Sequence, residues 1–297
     1  MSQSYTVEEV AQLLRVSKLT IYDLIKKEEL PIFRVGRQMR IDKNDLQSYI
    51  HQHKTGAAAP TLAADKIVIC GQDIVLDMLG KYLERALGRK VLRSHEGSFN
   101  GVMSLYNGEC DIASLHMYDG DTNEYNTPYL KKILVSHAYV LLNLVQRQAG
   151  FYVQKGNPLA IHSVADISTK NATIINREKG SGARALLDEQ LRTHHIAPTH
   201  VLGYTNEEAS HIDVAAAVAN KQADVGIGIE KTAKLVNVDF VPLITERYDI
   251  VLLKTADNAA LIETVQAILQ SDAFKAEVAA LGDYDTAKTG QIMYETL

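Results

Sequence analysis

Residues 177–184 read Arg177-Glu178-Lys179-Gly180-Ser181-Gly182-Ala183-Arg184. They join Ala172–Asn176, an apolar segment that predicts a strand, to Ala185–Leu191, whose apolar spacing predicts a helix. A turn with two glycines and a serine at a helix start leaves several backbone N–H groups directed at one point, backed by the positive end of the helix dipole. Such a corner is a socket for an anion. Strand, turn and helix in this order are also the repeating unit of an α/β fold.

The unit recurs on both sides of that corner. Upstream, Lys66–Cys70 predicts a strand, Ile74–Leu87 a helix stopped by Gly88, Val91–Arg93 a strand, Phe99–Asn107 a helix and Asp111–Leu115 a strand. Further strands are expected at Tyr139–Val145, Phe151–Val153, Val201–Gly203, Val225–Ile229 and Phe240–Pro242, with helices from about Ala183 to His194 and Ile212 to Lys221. Alternation at this rhythm predicts parallel strands with right-handed crossovers, arranged as two α/β lobes around a cleft. Cys70 and Cys110 fit neither a metal spacing nor a disulfide framework and read as core thiols.

The first 54 residues follow a different rule. Thr6-Val7-Glu8-Glu9 is a capping box ahead of a helix from Val7 to Leu14, and Ser17 caps a second helix from Lys18 to Lys27. Phe33–Ile41 alternates apolar with basic residues around Gly36, which predicts a hairpin anchored by Phe33, Val35, Met39 and Ile41. A last helix is expected from Leu46 to His53. Residues 1–54 hold nine Lys/Arg against seven Asp/Glu, and the rest of the chain holds the other 22 against 29, so DNA affinity, if present, belongs to the N-terminal part.

The ordered series of capped helices and basic hairpin, from about Ser4 to His53, resembles the winged helix-turn-helix of the excisionase and MerR-type DNA-binding family. That resemblance places Lys18, Tyr22 and Lys26 on the exposed face of a recognition helix, and Arg34, Arg37, Gln38 and Arg40 on a wing that meets phosphates or the minor groove. Asp23 departs from the family's basic pattern and leaves the base contacts open.

Gly156-Asn157-Pro158, Ala223-Asp224-Val225-Gly226-Ile227-Gly228 and Glu246-Arg247-Tyr248-Asp249 resemble the type II periplasmic-binding-protein-like sensor domain, in its branch fused to regulators and to molybdopterin-biosynthesis proteins. The resemblance runs from about Ile67 to Leu253. It implies a small ligand, with molybdate, tungstate or a related oxyanion as the expected effector and no other cofactor. The expected organisation is a DNA-binding domain over 1–54, a linker over 55–64 and a sensor domain over 65–297. Lobe one would take about 65–150 and 246–297, and lobe two about 151–245.

In open α/β sheets ligands sit beyond the carboxyl ends of strands, where helix N-termini converge. That rule selects Gln72, Ser98, His116, Arg177, Ser181, Gly182, Ala183, Arg184 and His211 as candidate ligand contacts, with Tyr248 beside the return crossover. Several have a second reading. Ser98 serves equally as a helix cap, Arg184 is spaced to pair with Asp188, and His116 and His211 fit as ordinary core histidines. Asp73 reads as a cap, since a carboxylate against an anion is costly.

No nucleophile elbow, phosphate-binding Walker loop, His-Glu-x-x-His or dinucleotide glycine fingerprint occurs in the sequence, so no catalytic or metal-binding residue is expected. Neither a leader pattern nor a stretch of ~20 apolar residues is present, which predicts a cytoplasmic protein without membrane contact. A single module with a net charge near +2 binds DNA weakly, so double-stranded DNA is expected to be held by a homodimer. An accessory role in molybdenum cofactor metabolism, or an excisionase-like architectural role, are the competing functions.

Overall fold

The computed structural model describes residues 4–14, 16–27, 29–36, 38–43, 45–46, 49 and 66–296. It divides into two compact units, Met1–Ala59 and Pro60–Leu297. The linker expected at 55–64 lies outside the described residues, as does most of the helix expected from Leu46 to His53.

In the first unit, β1 (Ser4–Thr6) leads directly into α1 (Val7–Leu14), followed by α2 (Lys18–Lys26), β2 (Phe33–Val35) and β3 (Gln38–Asp42). The Thr6 hydroxyl accepts from the Glu9 amide at 3.2 Å while the Thr6 amide donates to the Glu9 carboxylate at 2.7 Å, so both ends of the box are closed. Ser17 caps α2 through the Thr20 amide at 3.1 Å. Val7, Val10, Ala11, Ile21, Leu30, Ile41 and Leu46 bury against one another as the core. The strands are antiparallel in the order β1-β3-β2. Strand β1 is an addition to the sequence reading. It makes β3 central and leaves β2 at the edge, so Phe33 and Val35 do not anchor the hairpin: they stand exposed, and Ile41 carries that role.

The second unit holds β4 (Lys66–Cys70), α3 (Ile74–Leu87), β5 (Lys90–Ser94), α4 (Ser98–Tyr106) and β6 (Ile112–Leu115), whose strands pair in parallel on either side of β4. A small hairpin, β7 (Tyr118–Asp119) with β8 (Glu124–Tyr125), and α5 (Thr127–Ile133) follow, and then β9 (Tyr139–Val153). Beyond it come α6 (Val164–Thr169), β10 (Ile174–Arg177), α7 (Gly182–Thr193), β11 (Glu207–Glu208), α8 (His211–Ala219), β12 (Val225–Ile229) and α9 (Glu230–Val236). The chain returns through β13 (Asp239–Leu253) to α10 (Ala259–Gln270), α11 (Asp272–Ala280) and β14 (Ile292–Glu295).

The sheet is mixed, which corrects the expectation of an all-parallel arrangement. Its order is β11-β10-β12-β9-β13-β6-β4-β5, with β14 also on β9. Strands β9 and β13 are antiparallel and paired along their whole lengths, from Tyr139↔Leu253 to Val153↔Asp239. One end of this ribbon joins the first lobe, through Val251↔Ala113 and Leu142↔Ile292. The other joins the second lobe, through Val153↔Val225. Two strands expected at 139–145 and 151–153 are therefore one, because Gln146-Arg147-Gln148 continues the ladder instead of breaking it. Phe240–Pro242 is only the start of β13, with a register shift between Pro242 and Ile244 that accommodates the proline. Val201–Gly203 is not a strand. That stretch follows a 3-10 turn at Pro198–His200 and lends single carbonyls to β10, Leu202 to the Ile174 amide at 2.8 Å.

Each lobe has its own core. In lobe one Ile67, Ile69, Leu76, Leu79, Val140 and Leu142 pack with Val265, Phe274 and Val278 from the C-terminal helices. In lobe two Phe151, Ile161, Leu186, Leu187, Val225 and Ile227 do the same. Cys70 and Cys110 are both buried in lobe one, and the hydrogen bond with the Cys70 thiol, followed by burial, pushes Cys110 above the usual thiol range. Among the described residues no helix is long and apolar enough to cross a membrane.

Candidate ligand cleft and nucleic-acid surface

Between the lobes lies a cavity of about 520 Å³, a size suited to a small molecule. Helix N-termini from both lobes reach it: α3 at Asp73-Ile74, α4 at Gly97-Ser98, α7 at Ser181-Gly182 and α8 at Ser210-His211. Each brings unpaired amides and a partial positive charge. Gln72, Ser98, His116, Arg177, Ser181, Gly182, His211 and Tyr248, all selected from sequence, line this one space.

Four of its donors remain open. The hydroxyls of Ser98 and Ser181 accept from the amides of His116 and Arg184, both at 3.2 Å, and have no acceptor of their own among the described residues. The Gly182 amide is the first of its helix and has no partner among them. Arg177 is buried, with Nε and Nη2 held by Glu178 at 2.7 and 2.8 Å and Nη2 also by the Gln72 side-chain carbonyl at 2.8 Å, while Nη1 has no partner among the described residues. Donors of this kind suit an anion.

Behind them is a buried charge network that the sequence reading missed. Arg147 and Glu246 face each other across β9 and β13, where the ribbon passes between lobes. The Arg147 guanidinium donates to Glu246 at 2.7 Å through Nε and is ion-paired with Asp73, and it lies 4.3 Å over the Tyr248 ring. Glu246 also meets His116 Nδ1 at 2.7 Å. Burial raises the Glu246 carboxyl, but Arg147 and His116 outweigh it and hold the group down to about 2. Asp73 caps α3 through the Val75 amide at 2.8 Å and takes the Tyr284 hydroxyl at 3.0 Å. A lone arginine inside the apolar run 139–153 was the available signal.

Two candidates fall outside the lining. Ala183 turns with its helix into the lobe-two core. Arg184 points away along α7, bonded to Asp188 at 3.1 Å and Glu207 at 2.8 Å and stacked 4.4 Å over Tyr204, because those carboxylates sit within its reach and the cavity does not. The Tyr248 hydroxyl does not close the site, since Ser114 holds it at 2.7 Å. Among the described residues no group of three or more His, Cys, Asp or Glu is placed to hold a metal ion.

The lobes touch along one side of the cleft. The Phe99 amide of lobe one donates to the Gly180 carbonyl of lobe two at 2.9 Å, the Gly120 amide to Glu189 at 2.8 Å, and Arg192 reaches Asp121 at 2.8 Å. Glycines permit the approach. A Cβ on Gly97 would stand 2.8 Å from the Gly180 carbonyl oxygen, and one on Gly182 would stand 2.6 Å from the His116 ring.

Loss of solvent, with Arg177, Arg147 and His116 nearby, pushes His211 well below the ordinary imidazole value of 6.5. The folded protein therefore keeps it neutral, while the unfolded chain takes up a proton as pH falls below about 6.5, so this residue costs stability on the acid side. Chemical denaturation between pH 7 and 5 is expected to show a loss of up to about 1.4 kcal/mol per pH unit from this proton. His211→Gln should remove that component, and equal slopes in both proteins would contradict the assignment.

In the first unit Lys18, Tyr22 and Lys26 are exposed on α2, and Asp23 is exposed beside them. Lys18 is paired with Glu8. Arg34 and Gln38 are exposed on the hairpin, whereas Arg40 is half-buried and bonds the Ser4 carbonyl at 3.4 Å and Gln38 at 3.3 Å. Arg37 lies outside the described residues.

Residues 80–270 match the PBP superfamily domain, and residues 4–54 match a helix-turn-helix domain. The protein YvgK of Bacillus subtilis (strain 168) is 47% identical over 307 aligned positions, covering 99% of each chain. Among solved structures, the tungstate ABC transporter protein from Geobacter sulfurreducens aligns with a TM-score of 0.54 at 13% identity, over 73% of this chain and 99% of that one. Holo ArgBP from T. maritima aligns with a TM-score of 0.51 at 15% identity, over 75% of this chain and 98% of that one. At these identities the structures share the fold.

Proposed function

The chain belongs to the PBP superfamily, with a helix-turn-helix domain ahead of the matched region, and on that premise we propose that it is a transcriptional regulator whose DNA affinity is set by a small anion held between its lobes. The observation that carries this is the pairing, in one chain, of a DNA-binding domain with a cleft whose open donors are Ser98, Ser181, the Gly182 amide and Arg177 Nη1. Molybdate and tungstate, implied by the resemblance to the molybdenum-linked branch, are the first anions to try. Both units belong to binding folds, so the reading is of a non-enzymatic protein that works on double-stranded DNA in the cytoplasm, as a homodimer with winged, excisionase-like DNA-binding domains.

Linkage makes the proposal quantitative. An anion that changes DNA affinity by a given factor must have its own affinity changed by DNA by the same factor, typically about 5–150-fold. The test selects a duplex from random sequence with the full-length protein, then titrates it with and without molybdate, tungstate, sulfate and phosphate. DNA binding that is identical under every anion would count heavily against a sensor.

Phosphate contacts set the salt dependence of DNA binding, with a slope of about −0.9 per neutralised phosphate for each decade of salt. Lys26→Ala and Arg34→Ala are each expected to flatten the log–log slope by about 0.9, measured by anisotropy across salt concentrations. An unchanged slope in both variants would remove α2 and the hairpin from the DNA interface.

A further inference from the structure

The cavity has more room, and a different outer wall, than an inorganic anion uses, and we infer that its ligand is an organic anion with an apolar body. This rests on the cleft being the ligand site and names the class of molecule it takes. A water claims about 30 Å³ of liquid, so an anion of four oxygens fills roughly 120 Å³. The cavity offers about 520 Å³.

The walls are segregated. Ser98, Ser181, Gly182 and Arg177 supply the open donors, and the arginine–carboxylate network lies behind the same lining. Elsewhere in that lining, Ile74 on the first turn of α3, Ile212 on the first turn of α8 and Leu235 on the last turn of α9 are 49%, 55% and 69% exposed. One exposed aliphatic side chain needs no explanation. Three, contributed by three helices from both lobes to a single cavity, form a surface suited to an apolar ligand body. An inorganic ion seated on the donors leaves all three in water.

The inner lining also holds an unanswered polar atom on the α8 side of the cavity. His211 Nδ1 is buried and has no hydrogen-bond partner among the described residues. Its ring centroid is 6.4 Å from that of His116, the ring against which Gly182 rests. A ligand that runs from the donor corner past His116 toward the aliphatic rim passes this ring and can answer the atom. Of the carboxylates in the lining, Asp73 is ion-paired with Arg147, and Glu96 accepts from Ser94 at 2.7 Å and Ser104 at 2.8 Å. Their charge is thus directed at protein groups, and the open polar positions favour a single anionic head.

Calorimetric titration of the full-length protein with molybdate, tungstate and phosphate, and with methyl-, propyl-, pentyl- and phenylphosphonate, separates the outcomes. Affinity is expected to rise by roughly two- to fourfold for each methylene added until the rim is covered. Ile212→Gln combined with Leu235→Gln is expected to flatten that rise. If molybdate or tungstate binds as tightly as every organic probe, and the rim variant leaves the order of affinities unchanged, the organic-anion inference is overturned while the cleft remains the site. If no inorganic or organic anion binds at all, the cleft reading falls with it.

Discussion

Arg147→Ala is expected to lower the thermal unfolding midpoint of the full-length protein by about 6–20 °C. The substitution strands two buried carboxylates, Asp73 and Glu246, that now share one guanidinium. Removing one partner from a buried ion pair costs about 3–5 kcal/mol, and 1 kcal/mol corresponds to about 2–4 °C for a domain of this size. The replacement works through the charges left behind more than through lost packing. Combining Arg147→Met with Asp73→Asn and Glu246→Gln should therefore recover most of the loss, because no buried charge is then unpaired. A single variant that melts within 2 °C of the native protein would show that the network is solvated or that its charges are answered elsewhere.

Gly97→Ala is expected to weaken ligand binding by about 5–150-fold while leaving the unfolding of the ligand-free protein nearly unchanged. The added methyl has no flexible neighbour to displace: it meets the Gly180 carbonyl oxygen at 2.8 Å and the Ser181 Cα at 3.0 Å, both main-chain atoms of the opposite lobe. Gly97 itself has φ −69 and ψ 165, a conformation open to any residue, so the local chain is not strained. The lobes must part to relieve the contact, and the Phe99 to Gly180 hydrogen bond stretches with them. Overpacking of this kind costs about 1–3 kcal/mol, here charged to the arrangement in which the lobes touch, and apparent affinity falls with the population of that arrangement. Isothermal titration with the tightest anion found, alongside chemical denaturation without it, reads both halves of the expectation. Equal loss of stability and affinity would mean that the methyl damages the fold and not the closure.

The strand-turn-helix units of both lobes were legible because each is punctuated locally. Asp73, Ser181 and Ser210 stand where caps are needed, and all three accept the amide that a cap should take. The paired long strands were harder to read. Arg147 and Pro242 look like interruptions in a one-dimensional pattern, yet the first is neutralised by groups 74 and 99 positions away and the second sits at a register shift. Long-range pairing of that kind leaves no periodic mark. The same limit explains the site. Helix starts revealed Ser98, Ser181, Gly182 and His211, while nothing near Arg147 in sequence points to Asp73 or Tyr284. Arg184 was ambiguous for the opposite reason, since its i+4 partner Asp188 was visible and proved to be where the side chain goes.

Strand β9 delivers the chain into lobe two at Val153, and β13 collects it at Asp239, directly opposite on the neighbouring strand. Residues 154–238 therefore begin and end about one strand spacing apart, roughly 5 Å, as a cassette spliced into a host. Both covalent ties of that segment therefore leave from one position of the ladder, while Phe151 and Val153, just before the seam, reach across it into the segment's own core.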